Sequence, residues 1–327
     1  MGDFMDLSKL ADELRNFEGV TRKKEIKNVV NNFNFQEDYE FDIVVDFGDD
    51  AAIIGIDDEN AVLLAADGIW GKLLETDPFW AGYCAVLVNA NDIAAMGGRS
   101  IGMTNIIGIK DCDKGRDLLK GLKEGVSKFG IPVVGGHTHP DAQCNVLDIS
   151  ITGLVKRDNV LRSDAAKTGD KIVFAYDLDG KIHETFNLNW DTTSMKSKKY
   201  VRDQLKVLEI IGEEHLANSC KDISNPGGLG TLGMLLEVSK KGAMVDVSKI
   251  PVPEDVSLNH WLKMYPGSGF VFTAPENKTK DLIERLEFTG IASAVCGEVK
   301  NDRKFMITDG NEKTVFFDFE KEYICGC

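Results

Sequence analysis

From Phe41 the chain strings together three short β-rich runs, FDIVV, AAIIGI and AVLLAA, separated only by FGDD and DDEN. Apolar runs this short, broken by clusters of Asp, Gly and Asn, predict adjacent strands joined by tight turns. Helices then interleave with further strands. Residues 79–96 (FWAGYCAVLVNANDIAAM) read as a helix and 103–109 (MTNIIGI) as a strand. Residues 115–129 read as an amphipathic helix with Leu118, Leu119, Leu122, Val126 and Phe129 on one face. Pro132 opens a strand ending in Gly135-Gly136, and 146–155 (VLDISITGLV) alternates as a half-buried strand. This pattern predicts an α+β first half, with helices covering one sheet face.

Before this half, residues 6–17 place Leu7, Leu10, Ala11 and Leu14 at helical spacing, and 21–30 is a basic second helix or arm. After it, a linker at 156–170 leads into a second alternation: strand KIVFAY, a helix within 196–217, the loop DISNPGGLG and a helix at 229–240. Strand AMVDVS, helix 254–264, strand GFVFTA, helix 277–288, strand SAVCGEV and strand TVFFDF follow. The expected domains are therefore 1–165 and 166–327.

The 327 residues hold 53 acids against 38 bases, a formal charge of −15. Such a chain repels phosphate backbones, which excludes nucleic acid as the main partner but not nucleotides, because a divalent cation reverses the local field. Hydrophobic residues at 43% are enough to fill two cores. No stretch is long and apolar enough for a membrane span, and the acidic, amphipathic start does not read as a signal peptide. Seven dispersed cysteines read as reduced thiols, so the expected address is the cytoplasm.

Five constellations can carry chemistry. In Phe47-Gly48-Asp49-Asp50-Ala51-Ala52, two carboxylates sit at a turn, and Asp67 follows 17 residues after Asp50. Three acids at strand ends suit Mg²⁺, which takes oxygen ligands from a few carboxylates and from substrate phosphates. GDD alone also reads as a solvated hairpin turn. Asn89 and Asp92 share one face of an otherwise apolar helix, which ends at Gly97-Gly98 as a cap would. In Gly135-Gly136-His137-Thr138-His139, the glycines let backbone N–H groups approach a phosphate or simply make a turn. His137 and His139 could lie on one side of an extended segment, although no further ligand sits at zinc spacing. Lys221-Asp222-Ile223-Ser224-Asn225-Pro226-Gly227-Gly228 is a glycine-rich loop before a helix, an anion site lacking the Walker lysine. Last, Cys325-Gly326-Cys327 is either a mobile tail that delivers a thiol or an inert end.

Taken in order, GDDAAI, LLAADG, NANDIAAMGG, GGHT, VLRSDAAKTGD, DISNPGGL and the GFVFT strand resemble the aminoimidazole ribonucleotide synthetase superfamily. That superfamily includes thiamine-monophosphate kinase, selenophosphate synthetase and the hydrogenase maturation factor that dehydrates a carbamoylated cysteine. Within it, the combination looks most like the group called methanogenesis marker protein 2. The resemblance implies an N-terminal α/β half whose sheets form a β-barrel across a homodimer, and a layered α/β C-terminal half. ATP would lie between the halves, held through Mg²⁺. On this resemblance Asp50, Asp67 and Asp92 become metal ligands with Asp49 beside them. Gly135, Gly136, His137, Thr138, Arg162, Ser224, Asn89, Gly227 and Gly228 become nucleotide contacts. Asp222, Asn225 and Cys327 are the catalytic candidates, and the implied activity is phosphotransfer to, or activation of, an oxygen- or carbonyl-type small acceptor.

Departures narrow it. Thiamine-monophosphate kinases carry Asp where this chain has His137 and a second Asp where it has Asn225. Their Ser-Thr is Ala65-Ala66 here, their substrate-contacting His falls near Leu74, and the Glu of their late GGED motif falls near Ser268. These changes argue against thiamine-phosphate phosphorylation. GGHT and MGG look like selenophosphate synthetase, yet the reactive Cys and Lys segment of that enzyme is absent, since the first cysteine is Cys84. Gly227-Gly228 and the final Cys327 resemble the hydrogenase factor, with Cys-Gly in place of its Pro-Arg-Ile. Cys327 thereby becomes a candidate carrier of a small group, and a nucleotide-binding regulatory protein without turnover is the remaining alternative.

Overall fold

The computed structural model describes residues 6–33, 40, 42–265 and 267–327. Phe41, where the β-rich pattern was expected to start, lies outside them. Alternating apolar residues build the first sheet from β1 (Ile43–Val45), β2 (Ala52–Gly55), β3 (Asn60–Gly68), β4 (Arg99–Gly108), β5 (Val133–His139) and β6 (Val146–Lys156). Its order is β1-β2-β3-β6-β4-β5, antiparallel except for β4 and β5. The short helices α1 (Leu7–Arg15), α2 (Glu18–Thr21) and α3 (Ile26–Phe33) precede this sheet, and α4 (Gly71–Thr76), α5 (Pro78–Ala95) and α6 (Cys112–Phe129) interrupt it.

One face of this sheet is covered by α5 and α6. The α5 helix starts at an Asp77 cap followed by Pro78 and is apolar nearly all round, as a helix enclosed on several sides must be. It lies so close to α6 that a Cβ on Gly121 would meet the Phe79 carbonyl at 1.8 Å. In α6, Leu118, Leu122 and Phe129 are buried as expected, but Leu119 is exposed, because helical twist carries it off the α5 contact. The opposite sheet face, with Leu64 and Ile106, is left open.

The second sheet has the order β10-β12-β7-β13-β11-β14-β15. Its strands are β7 (Lys171–Tyr176), β10 (Ser219–Asp222), β11 (Gly242–Asp246), β12 (Gly269–Ala274), β13 (Ala292–Lys300), β14 (Lys304–Thr308) and β15 (Lys313–Asp318), and a small hairpin of β8 (Lys181–Ile182) and β9 (Trp190–Asp191) stands apart. The helices are α7 (Lys198–Glu213), α8 (Gly227–Val238), α9 (Leu258–Trp261) and α10 (Thr279–Glu287). One core joins α8 and α1 to the sheet, and another packs β7, β10 and β12 with α7 and α10.

Three expectations are corrected. The 254–264 helix is only the single turn α9, since Pro251 and Pro253 hold the chain before it extended. Strand β5 does not stop at Gly135-Gly136 but runs to His139, because its residues pair in parallel with β4. The helix expected at 229–240 already starts at Gly227, where a left-handed Gly227 (φ +72°) brings the backbone against the Leu262 carbonyl. Among the described residues no helix is long and apolar enough to cross a membrane.

Candidate active site at the junction of the two sheets

The end of α5 touches both halves: Ala90 and Ile93 pack on the first sheet, while Ala94 and Ala95 join the second core. This double packing sets Asp92, in the last turn of α5, against Asp222 at the end of β10. The FGDD turn brings Asp50 to the same point. One carboxylate oxygen each of Asp50, Asp92 and Asp222 lie within 4.8 Å of one another. Asp67, at the end of β3, and Asp49 line the same cleft of about 330 Å³, with Lys221, Ser224 and Asn225.

Buried carboxylates this close disfavour shared ionisation. Burial, then mutual repulsion, pushes Asp92 and Asp222 well above the ordinary carboxylate range. Burial also raises Asp67, eased by Lys23 and Arg22. Asp49 is pushed up to about 6 by burial, against the pull of Lys221. The Ser163 backbone N–H donates to Asp49 Oδ2 at 2.7 Å, tying the first sheet to the linker. Asp50 takes the Lys221 ammonium and also accepts the Asp222 N–H at 3.2 Å, tying the two halves together. Burial opposes the charge of Lys221, yet Asp50 and Asp49 hold it above the usual lysine value.

The other wall is cationic and aromatic: Arg22, Lys23, Trp70, Phe186 and Tyr265. Arg22 lies over the Trp70 ring, 5.4 Å from its centre. The basic segment is held there because Gly19 presses on the Asn225 carbonyl, where a Cβ would stand 1.9 Å away. Asn225 Oδ1 is buried without a hydrogen-bond partner among the described residues, an acceptor left open at the cleft wall. The donor set is oxygen only, and three or four carboxylates with little else fit a hard divalent cation such as Mg²⁺ rather than zinc.

The structure thus gathers Asp49, Asp50, Asp67, Asp92, Asp222, Ser224 and Asn225. It does not place the remaining candidates on the cleft wall. Gly135, Gly136, His137 and Thr138 lie along the exposed edge strand β5, with the His137 and His139 rings 4.6 Å apart on one side. Arg162 is turned to Asp164 at 2.8 and 2.7 Å. Asn89 donates to the Ala85 carbonyl inside α5. Gly227 and Gly228 serve close packing against Leu262 and the Tyr176 hydroxyl. Cys327 faces a separate cavity, and its segment is not a mobile tail: the Glu237 carboxylate accepts the N–H groups of Ile324, Cys325 and Gly326. Sequence reasoning missed Lys221, Arg22 and Lys23 as site residues. Lys221 adjoins Asp222 in the quoted motif, and the other two sit in the basic 21–30 run.

An α/β fold with two mixed sheets meeting at a cleft lined by carboxylates defines the class. The chain belongs to the AIR synthase related proteins: the N-terminal domain model matches residues 48–155 and the C-terminal one residues 168–310. It is 66% identical to an uncharacterized protein of Methanocaldococcus jannaschii over 99% of this chain and all of that one. A selenide, water dikinase of Carboxydothermus hydrogenoformans is 27% identical, over 80% of this chain and 73% of its own length. A thiamine-monophosphate kinase of Buchnera aphidicola is 26% identical, over 83% and 89%.

Among solved structures, phosphoribosylformylglycinamidine synthase II of Thermotoga maritima superposes with a TM-score of 0.76 at 15% identity, over 96% of this chain. This chain spans about half of that protein, 52%. AaThiL complexed with AMPPCP and TMP gives 0.67 at 15% identity, over 96% and 100%. The HypE-HypF complex gives 0.66 at 17%, over 88% and 97%. At these identities the superpositions speak for the fold.

Proposed function

We propose that this chain is an ATP- and Mg²⁺-dependent enzyme that transfers phosphate to, or activates, an oxygen- or carbonyl-type small acceptor. The observation carrying this reading is the approach of Asp50, Asp92 and Asp222 within 4.8 Å at the sheet junction. Kinases among the relatives and a neighbour solved with AMPPCP support it. Asp50, Asp92 and Asp222 would hold Mg²⁺, with Asp67 and Asp49 beside them. Bound there, the cation supplies neutralisation of polyphosphate charge. Lys221 pairs with Asp50 and orients it. Lys23 and Arg22 offer charge to phosphate oxygens from the opposite wall, and the unpartnered Asn225 Oδ1 can accept a hydrogen bond from the acceptor.

The open sheet face fits a second copy of the chain, with Leu64 and Ile106 at the contact. On this reading light scattering gives a dimer, and Ile106→Glu shifts it to monomer. The thiol-carrier alternative needs Cys327 in the cleft, and its place in another cavity weighs against it. The test is Mg²⁺-dependent ATP binding by calorimetry, together with ATP turnover against a panel of acceptors. Both should fall at least tenfold in an Asp67→Asn, Asp92→Asn double variant, and wild-type levels there would overturn the reading. ATP binding without turnover across the panel would favour the regulatory alternative.

A further inference from the structure

Behind the FGDD turn lies a second constellation that the ATP reading does not use. Ile324 and Cys325 are fully buried, and Ile324 packs against Gly233 of α8. Glu237, also on α8, accepts the N–H groups of Ile324 and Cys325 at 3.0 Å and that of Gly326 at 2.9 Å. The Cys325 thiol donates to the same carboxylate at 3.4 Å. Gly326 adopts φ +71°, a turn that costs glycine little, and Cys327 beyond it lies beside Gly48 of the FGDD turn. One thiol is therefore enclosed and held, while its neighbour two positions on is accessible.

Cys327 opens on a cavity of about 340 Å³ lined by the acids Glu237, Glu320 and Glu322, by Lys321, which pairs with Asp318, and by three further cations, Lys27, Lys240 and Arg303. None of these three cations has an ion-pair partner among the described residues, and Arg303 Nε is buried without a hydrogen bond. The adjoining Cys325 thiol holds Cys327 below the ordinary thiol range, while Cys327 and burial push Cys325 well above it. An accessible, more acidic thiol beside an enclosed one is the division of labour of an attacking and a resolving cysteine.

We propose that Cys327 and Cys325 form a redox-active dithiol that exchanges with disulfides carrying carboxylate or phosphate groups. The Cys327 thiolate attacks one sulfur of the disulfide, forming a mixed disulfide and releasing the first thiolate. Cys325 then attacks Cys327 Sγ, breaking the mixed disulfide. The Cys325 proton passes by way of Glu237 to the departing second thiolate. The pair loses two electrons, and the incoming disulfide is reduced to two thiols. Lys27, Lys240 and Arg303 provide the charge that attracts an anionic partner.

The test treats the full chain with oxidised glutathione, quenches with acid and maps the tryptic peptide 322–327. This peptide separates the pair from the other exposed thiols, Cys112 and Cys144. The expected result is a transient glutathione adduct on that peptide, followed by a species lighter than the reduced peptide by two hydrogens. Oxidised glutathione should react about tenfold faster than the neutral bis(2-hydroxyethyl) disulfide, and Lys240→Gln should shrink that advantage. Cys327→Ser, a change at an accessible position, should abolish the adduct at residues 322–327 while the thermal melt stays unchanged. A peptide that stays reduced, an adduct that never resolves, or an adduct that persists in Cys327→Ser would overturn the proposal.

Discussion

Replacing Asp92 by asparagine should stabilise the metal-free protein and abolish its response to Mg²⁺. Two ionised carboxylates at the 4.8 Å limit found here repel by about 3 kcal/mol at an effective dielectric near 20. Asp92 takes part in two of the three such contacts. The folded protein escapes part of this repulsion by keeping Asp92 and Asp222 protonated above their ordinary range. Holding a proton on an ordinary aspartate at pH 7 itself costs about 4 kcal/mol, which caps the penalty. Asparagine keeps the shape and removes the charge, so the metal-free variant should gain about 2–4 kcal/mol, a rise of several degrees in melting temperature. Wild type should gain about 2.7 kcal/mol with Mg²⁺ at a hundredfold its dissociation constant, and the variant almost nothing. Thermal melts of both proteins at pH 7, with EDTA or with Mg²⁺, read all four values. A variant that melts lower than wild type in EDTA, or that keeps the full Mg²⁺ shift, would refute the reasoning.

Asp49 gives a pH signature. Burial raises it to about 6 from 3.8, so in EDTA its stabilising contribution is full below about pH 4 and is lost as pH rises to about 6, a fall of roughly 3 kcal/mol. Urea denaturation across that window should show this slope in wild type and a flatter one in Asp49→Asn. Lys221→Met leaves Asp50 enclosed without its ammonium partner, so the urea midpoint should drop by the equivalent of about 3–5 kcal/mol, with Mg²⁺ restoring part of it. An unchanged midpoint would show that Asp50 does not depend on Lys221. Gly121→Ala pushes a methyl into the Phe79 carbonyl at the α5–α6 crossing and should cost about 2–3 kcal/mol by the same measurement, with no change in Mg²⁺ affinity once folded.

Much of the scaffold was legible because its signals are local. The alternation in 146–155 marks β6, and the heptad-like spacing in 115–129 marks α6, whatever lies elsewhere in the chain. Elements whose cause is distant were misjudged. β5 extends to His139 because β4 offers it partners, and β14 was missed because its five residues depend on β11 and β15. Likewise the acids of the site stood out as carboxylates at the ends of apolar runs. The Lys221 partner of Asp50 did not, since 171 residues separate them. Nor did the Gly19–Asn225 contact that hangs Arg22 and Lys23 over the cleft, or Glu237 gathering three backbone N–H groups of the last segment.

The sequence by itself determined two alternating α/β halves and a set of acids too costly to bury without a partner, because period, turn chemistry and desolvation act over a few residues. Tertiary structure alone decided which acids meet. Asp50, Asp92 and Asp222 come from a turn, a helix end and a strand end in different halves, and α5 packing on both sheets brings them within 4.8 Å. The tertiary structure also left the glycine-rich β5 strand on an open edge, and Glu237 of α8 held the segment that carries Cys327 beside a cavity of its own. Convergence of this kind follows from long-range packing of cores, which no local pattern encodes.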